Sequence, residues 1–175
     1  MSSILKVNNI KDTADTILVK TNGSGAMDND SLFSNNGSFK VHTNQDQVVP
    51  NNTWTTITFN QQSFSNGCDI NANKIDNFTH GGRYFVYCIV TPKTELTGAL
   101  GNAVMGEMAV ARNGGKLFYQ RGYIGYKSSL TIQAIVSLSL SHNLTFQFKQ
   151  QSGADLTLDS SSNNVVAIGF RLISK

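Results

Sequence analysis

The run Arg83-Tyr84-Phe85-Val86-Tyr87-Cys88-Ile89-Val90 constrains the fold of this chain more than any other segment. It is aromatic and β-branched and too short to form a comfortable helix, so it is expected to be a strand. Side chains of a strand alternate between its two faces, and here Tyr84, Val86 and Cys88 on one face are matched by Phe85, Tyr87 and Ile89 on the other. Both faces need cover. The sequence offers no long amphipathic helix, so a second sheet is expected over one face and another copy of the chain is the simplest cover for the other.

Beyond residue 37 further strand-like runs follow at regular spacing: 39–43, 54–59, 74–78, 84–91, 106–112, 117–120, 130–140, 144–149 and 165–173. In the second of these Trp54, Thr56 and Thr58 share one parity and Ile57 and Phe59 the other, which makes Trp54 the cap of a strand edge more than a core residue. Asn113-Gly114 separates two apolar runs, and both residues tolerate the positive φ of a primed hairpin turn. Ser141-His142-Asn143 separates another pair. Short strands, tight turns and only Pro50 and Pro92 as prolines point to an all-β, antiparallel sandwich.

Residues 4–19 hold two short apolar runs around the polar Lys11-Asp12-Thr13-Ala14-Asp15, the pattern of a small hairpin. Such a hairpin is marginal in water by itself. Ile4, Leu5, Val7, Ile10, Ile17, Leu18 and Val19 are too many apolar side chains for so short a segment to bury, which makes them the expected attachment residues. Residues 20–37 are rich in Gly, Asn, Asp and Ser, the composition of a linker. The expected organisation is an attachment hairpin at 1–25, a linker at 26–37 and a head domain at 38–175. A chain of 175 residues has room for one such domain without disulfide or metal staples.

Charge and motif content narrow the function. The net charge of +3 is small and the Lys and Arg residues are scattered, which argues against nucleic-acid binding. Charged residues make up 14% of the chain, against about 25% for a typical soluble domain, with Asn, Ser, Thr, Gln and Gly supplying the polarity instead. The amino terminus lacks a signal-peptide core and no run approaches the length of a membrane span, so a soluble, cytosolically made protein is expected. Cys68 and Cys88 are read as free thiols, Cys88 as a small core residue. His42, His80 and His142 lie apart from any Cys, Asp or Glu at ligand spacing, so no metal is expected. Asp28-Asn29-Asp30-Ser31 opens like a calcium loop but lacks the Gly and Glu that would complete it. Ser141 and His142 are adjacent and point to opposite faces of a strand, and no acid accompanies them. No catalytic residue and no cofactor is expected. Tyr119, Tyr123 and Tyr126 are the aromatic candidates for ligand contact, by stacking on sugars.

Taken together, Ser38-Phe39-Lys40-Val41, Ile57-Thr58-Phe59, Asn66-Gly67 with Asp69, Lys74 with Phe78-Thr79, Gly82 with Tyr84 and Tyr87, the Asn-Gly hairpin, and Ala167-Ile168-Gly169-Phe170-Arg171-Leu172 resemble, in order and spacing, the globular head of complement and collagen-like proteins. That head is a jelly roll of the tumour necrosis factor superfamily. The resemblance covers about four fifths of the chain and implies a jelly-roll sandwich of about ten strands that assembles as a homotrimer. Tyr84, Phe85, Val86, Tyr87, Val166, Ile168 and Phe170 are then the expected trimer and core-packing residues. Some members of that family bind calcium near the trimer apex, which makes Asp69, Asp76, Asp155 and Asp159 distant candidates. The opening Ile4-Leu5-Lys6-Val7-Asn8-Asn9-Ile10-Lys11-Asp12-Thr13 is similar to the short openings of tailed-bacteriophage structural proteins. The resemblances imply a non-enzymatic virion structural protein, assembled in the host cytoplasm. It is expected to be a trimeric tail fibre, knob or capsid decoration, anchored to other virion proteins by its amino terminus and facing a host glycan or receptor. The alternative is a trimeric glycan- or receptor-binding module outside a virion. Neither reading involves membrane insertion.

Overall fold

The computed structural model describes residues 9–11, 17–20, 37–71, 73–93, 103–125, 128–161 and 164–172. The chain forms two units, Met1–Asn36 and Gly37–Lys175. In the first, β1 (Asn9–Lys11) pairs antiparallel with β2 (Ile17–Lys20), setting Ile10 opposite Val19 and Lys11 opposite Ile17. Leu18 is the extra residue of the irregularity between those pairs. Ile4, Leu5 and Val7, the turn at 12–16 and the Gly- and Asn-rich segment at 21–36 lie outside the described residues.

The second unit contains β3 (Ser38–His42), β4 (Gln47–Val49), β5 (Thr55–Thr56), β6 (Gln61–Asn66), β7 (Asp69–Asn71), β8 (Lys74–Asp76), β9 (Gly82–Val90), β10 (Ala103–Arg112), β11 (Gly115–Gly125), β12 (Leu130–Leu138), β13 (Leu144–Gln150), β14 (Leu156–Leu158) and β15 (Val165–Leu172). A five-stranded sheet runs β12-β9-β15-β3-β6, and a six-stranded sheet runs β11-β10-β13-β8-β7 with β5 also on β13. β14 and β4 form a separate two-stranded ladder, and every strand pair is antiparallel. The fold is the all-β jelly-roll sandwich expected, with more strands than the ten or so anticipated.

β12 shows how sequence dictates face. Leu130, Ile132, Ala134, Val136 and Leu138 point inward and are buried, while Thr131, Gln133, Ile135 and Ser137 are exposed. The inward residues of both sheets form one cluster: Phe39, Tyr84, Val86, Cys88 and Ala167 from the five-stranded sheet meet Ile75, Met108, Val110, Phe146 and Phe148 from the six-stranded one. Tyr84 packs edge-on to Phe78 at 5.2 Å, and its hydroxyl donates 2.8 Å to the His80 carbonyl, so the phenol is buried with its polar end satisfied. Cys68 and Cys88 are free and buried, and burial holds the Cys88 thiol well above its usual pKa.

Several boundaries differ from expectation for local reasons. The strand expected at 54–59 reduces to Thr55–Thr56: Ile57 N still donates to Phe146 O at 2.8 Å, but Gln47 then caps the segment, its Nε2 donating to Thr56 O and its Oε1 accepting from Thr58 N. The strand expected to reach residue 140 stops at Leu138, where His142 turns the chain by accepting from Ser139 N at 3.0 Å and donating its own N–H to Ser139 O. β11 extends to Gly125 where a short strand ending at 120 was expected, since its full-length ladder with β10 outweighs the low strand preference of Gly122.

Candidate functional site

Two surfaces stand out on the head. The first is the outward face of the five-stranded sheet, where register lines side chains into rows. Ile135, Phe85 and Phe170 share one row; Gln133, Tyr87, Ile168, Lys40 and Phe64 share the next; Thr131, Ile89, Val166 and His42 share a third. Phe85 and Phe170 stack tilted at 5.2 Å between ring centroids. Phe64, Ile135 and Phe170 remain 47%, 44% and 46% exposed, and Phe85, Tyr87, Ile89 and Ile168 are half-buried. Of the residues expected at the trimer and core, Tyr84 and Val86 face the core, and Val166 is buried on the outward face. Phe85, Tyr87, Ile168 and Phe170 form the uncovered surface. Contiguous exposed apolar patches mark interaction surfaces in soluble proteins generally.

The second surface is a shallow groove of about 730 Å³ on the outward face of the six-stranded sheet, lined by Trp54, Glu107, Tyr119, Gln120, Arg121 and Lys149. Register sets Lys149, Glu107 and Arg121 side by side on β13, β10 and β11. Glu107 accepts from Lys149 Nζ at 3.2 Å and Arg121 Nε at 3.3 Å, and its side chain is 7% exposed. Burial raises the Glu107 pKa, but the bonds from Lys149 and Arg121 outweigh it, so the carboxyl stays below its usual value and charged. Trp54 projects from the segment just before β5. Tyr119 meets it edge-on at 6.0 Å, and Lys116 Nζ and Lys149 Nζ lie 4.5 and 5.5 Å from its ring centroid.

Tyr119 and Tyr123 share the outward face of β11 and both are 59% exposed, and Tyr119 alone of the pair lines the groove. Tyr126 lies outside the described residues. Sequence reasoning missed Trp54, Glu107, Arg121 and Lys149. The available signal was Glu107 itself, the one acid in the otherwise apolar run 104–111, which needs cationic neighbours once buried.

The aspartates named as calcium candidates separate into two places. Asp69 and Asp76 oppose one another on β7 and β8, where Asn77 donates to Asp69, Asn71 donates to Asp76, and Lys74 pairs with Asp76 at 2.7 Å. Asp155 and Asp159 flank β14, Asp159 accepting from Ser161 and Asn164. Among the described residues no three His, Cys, Asp or Glu side chains form a ligand set, and no helix is long and apolar enough to cross a membrane.

No family model matches the chain, and no curated protein matches it. Solved structures do. Murine APRIL at pH 5.0 aligns with a TM-score of 0.58 at 12% identity, over 78% of this chain and 99% of that one. The PRD1 vertex protein P5 aligns with a TM-score of 0.55 at 15% identity, over 79% and 96%. Eiger TNF from S. frugiperda aligns with a TM-score of 0.56 at 12% identity, over 80% and 94%. At such identities the likeness is one of fold: residues 37–172 share the jelly-roll fold of these proteins.

Proposed function

We propose that the protein is a non-enzymatic virion structural component of a tailed bacteriophage, a fibre, knob or capsid decoration. Its head assembles as a homotrimer and its amino-terminal hairpin docks that trimer to other virion proteins. The uncovered apolar rows on the five-stranded sheet carry the oligomeric part of the reading. They are too extensive for a solvated sheet face and suit burial against further copies of the chain, in the three-fold arrangement that the head-domain resemblance implies. The phage-like opening and the likeness to a vertex protein support the virion role.

The hairpin and the head are separable in this reading. A protein beginning at residue 36 is expected to fold and to keep the solution mass of the full-length assembly, but to be absent from purified particles. Normal incorporation of the truncated protein would show that the head itself docks and would remove the anchoring role from residues 1–25.

A further inference from the structure

We propose that the groove on the six-stranded sheet binds an acidic saccharide, a pyranose that carries a carboxylate. This names a ligand for a host-facing role but does not rest on the trimer reading, because the groove lies on the sheet opposite the apolar face.

The groove supplies what such a ligand needs. Tyr119 presents a ring that is 59% exposed and held by a T-shaped contact with Trp54, so a sugar can lie on it with little side-chain ordering cost. Arg121 follows two residues later on the same face of β11, side by side with Glu107. Its guanidinium is tied to Glu107 through Nε and its side chain is 72% exposed, so the outer nitrogens remain as a planar fork for a carboxylate. Gln120, between the two in sequence, has its side chain on the other face of β11 and its Nε2 donates to Arg121 O at 3.1 Å, so the ligand contacts rest on Tyr119 and Arg121.

Charge selects an acid over a neutral sugar. Arg121 and Lys149 outnumber Glu107 in the lining, and Lys116 adds a further cation over Trp54. Glu107 is consumed in fixing Arg121 and Lys149, so it positions the cations and does not repel the ligand strongly. Glycoside hydrolysis ordinarily uses a pair of carboxyls across the bond, and among the described residues Glu107 is the one carboxyl that lines this groove, an arrangement that suits holding a sugar.

The test is calorimetric titration of the full chain with a galacturonic acid trisaccharide and with sialyllactose, against galactotriose and lactose as neutral counterparts. At least one acidic sugar should bind in the millimolar range or tighter, and at least about tenfold more tightly than its neutral counterpart. Added salt should weaken that binding. Arg121→Gln and Tyr119→Ala alter exposed side chains, and Lys149 keeps Glu107 paired in the first, so each should lower the affinity about tenfold or more while the far-ultraviolet signature of the folded sheet is retained. Failure of both acidic sugars to bind overturns the proposal. Equal binding of the neutral sugars overturns it too, as does binding that survives both substitutions. Acetate binding as tightly as the acidic sugars would leave an anion site only and overturn the saccharide assignment. The mass of the same sample in solution reports on the trimer separately, so a monomer that binds acidic sugar would sink that reading and keep this one.

Discussion

Gly169 lies opposite Phe39 across the β15–β3 ladder, and a Cβ built there would sit 2.3 Å from the Phe39 ring. The Gly in the terminal Gly-Phe element is therefore a requirement of packing, since the largest ring of the opening strand occupies the space a side chain would take. Gly114 is different in kind. It sits at φ 80 beside Asn113 at φ 50, with nothing within 4 Å of an added Cβ, so only backbone conformation is at stake. Replacing each with Ala separates the two causes. Gly169→Ala should lose about 1–3 kcal/mol through overpacking in chemical denaturation, and a compensating Phe39→Leu should recover part of it. Gly114→Ala should lose about 1–2 kcal/mol through strain in the left-handed region, with no partner substitution able to restore it. Equal rescue at both sites would show that the distinction is wrong.

At the level of elements, the two-stranded β4–β14 ladder is held in place by Asp46. Its carboxylate accepts from Lys93 Nζ at 2.6 Å and from Ser160 N at 3.1 Å, joining the loop before β4 to the chain beyond β9 and beyond β14. The bond from Lys93, followed by those from Ser160, lowers the Asp46 pKa from 3.8 to about 2. A carboxyl depressed on folding stabilises above its unfolded pKa and loses that effect as pH falls through the folded one. Asp46→Ala should therefore melt below the parent protein at pH 7. The gap should close between pH 3.8 and about 2. Lys93 is raised by the same partner, so the contribution should also fade as pH rises above the ordinary lysine value of 10.5. A gap that persists unchanged in acid would mean that Asp46 acts through packing.

Strands that carry their own apolar pattern were legible in the sequence: β9 from its doubly apolar run, β13 from strict alternation, β12 from an alternation broken only at Ile135, and the β10–β11 hairpin from Asn113-Gly114. Those held by their neighbours were not. β6 reads Gln-Gln-Ser-Phe-Ser-Asn, and β4, β7 and β14 have three residues each, so their pairing comes from ladders already formed and not from propensity. The groove was legible only at Tyr119, because the residues around it come from separate strands whose register no local pattern encodes.

For the molecule as a whole, the decisive quantity is what covers the outward face of the five-stranded sheet. Ile135 and Phe170 flank Phe85 in one row, both are nearly half exposed, and neither contributes to the core cluster. Lys at either site leaves an isolated head with a charge in water, which costs the fold little. In an interface between copies, the same charges would be stripped of solvent close to one another without an acidic partner, which the assembly cannot tolerate. Ile135→Lys combined with Phe170→Lys should thus reduce the solution mass from about 57 kDa to the 19.0 kDa of one chain, with the far-ultraviolet signature of the sheet retained. Mass action adds a second expectation: the parent protein should melt at higher temperature as its concentration rises, and the double variant should show no such dependence. Tyr119→Ala, on the opposite sheet, should alter neither mass nor concentration dependence. A double variant that remains at about 57 kDa would show that these rows are not the contact between copies. On the proposed function, separation into chains matters beyond the head, because three hairpins held together would raise one another's effective concentration at a repetitive docking site and a monomeric head would forfeit that gain. On that proposal the double variant should be lost from particles even though residues 1–25 are intact, an outcome that would link the apolar rows on the head to the attachment proposed for residues 1–25.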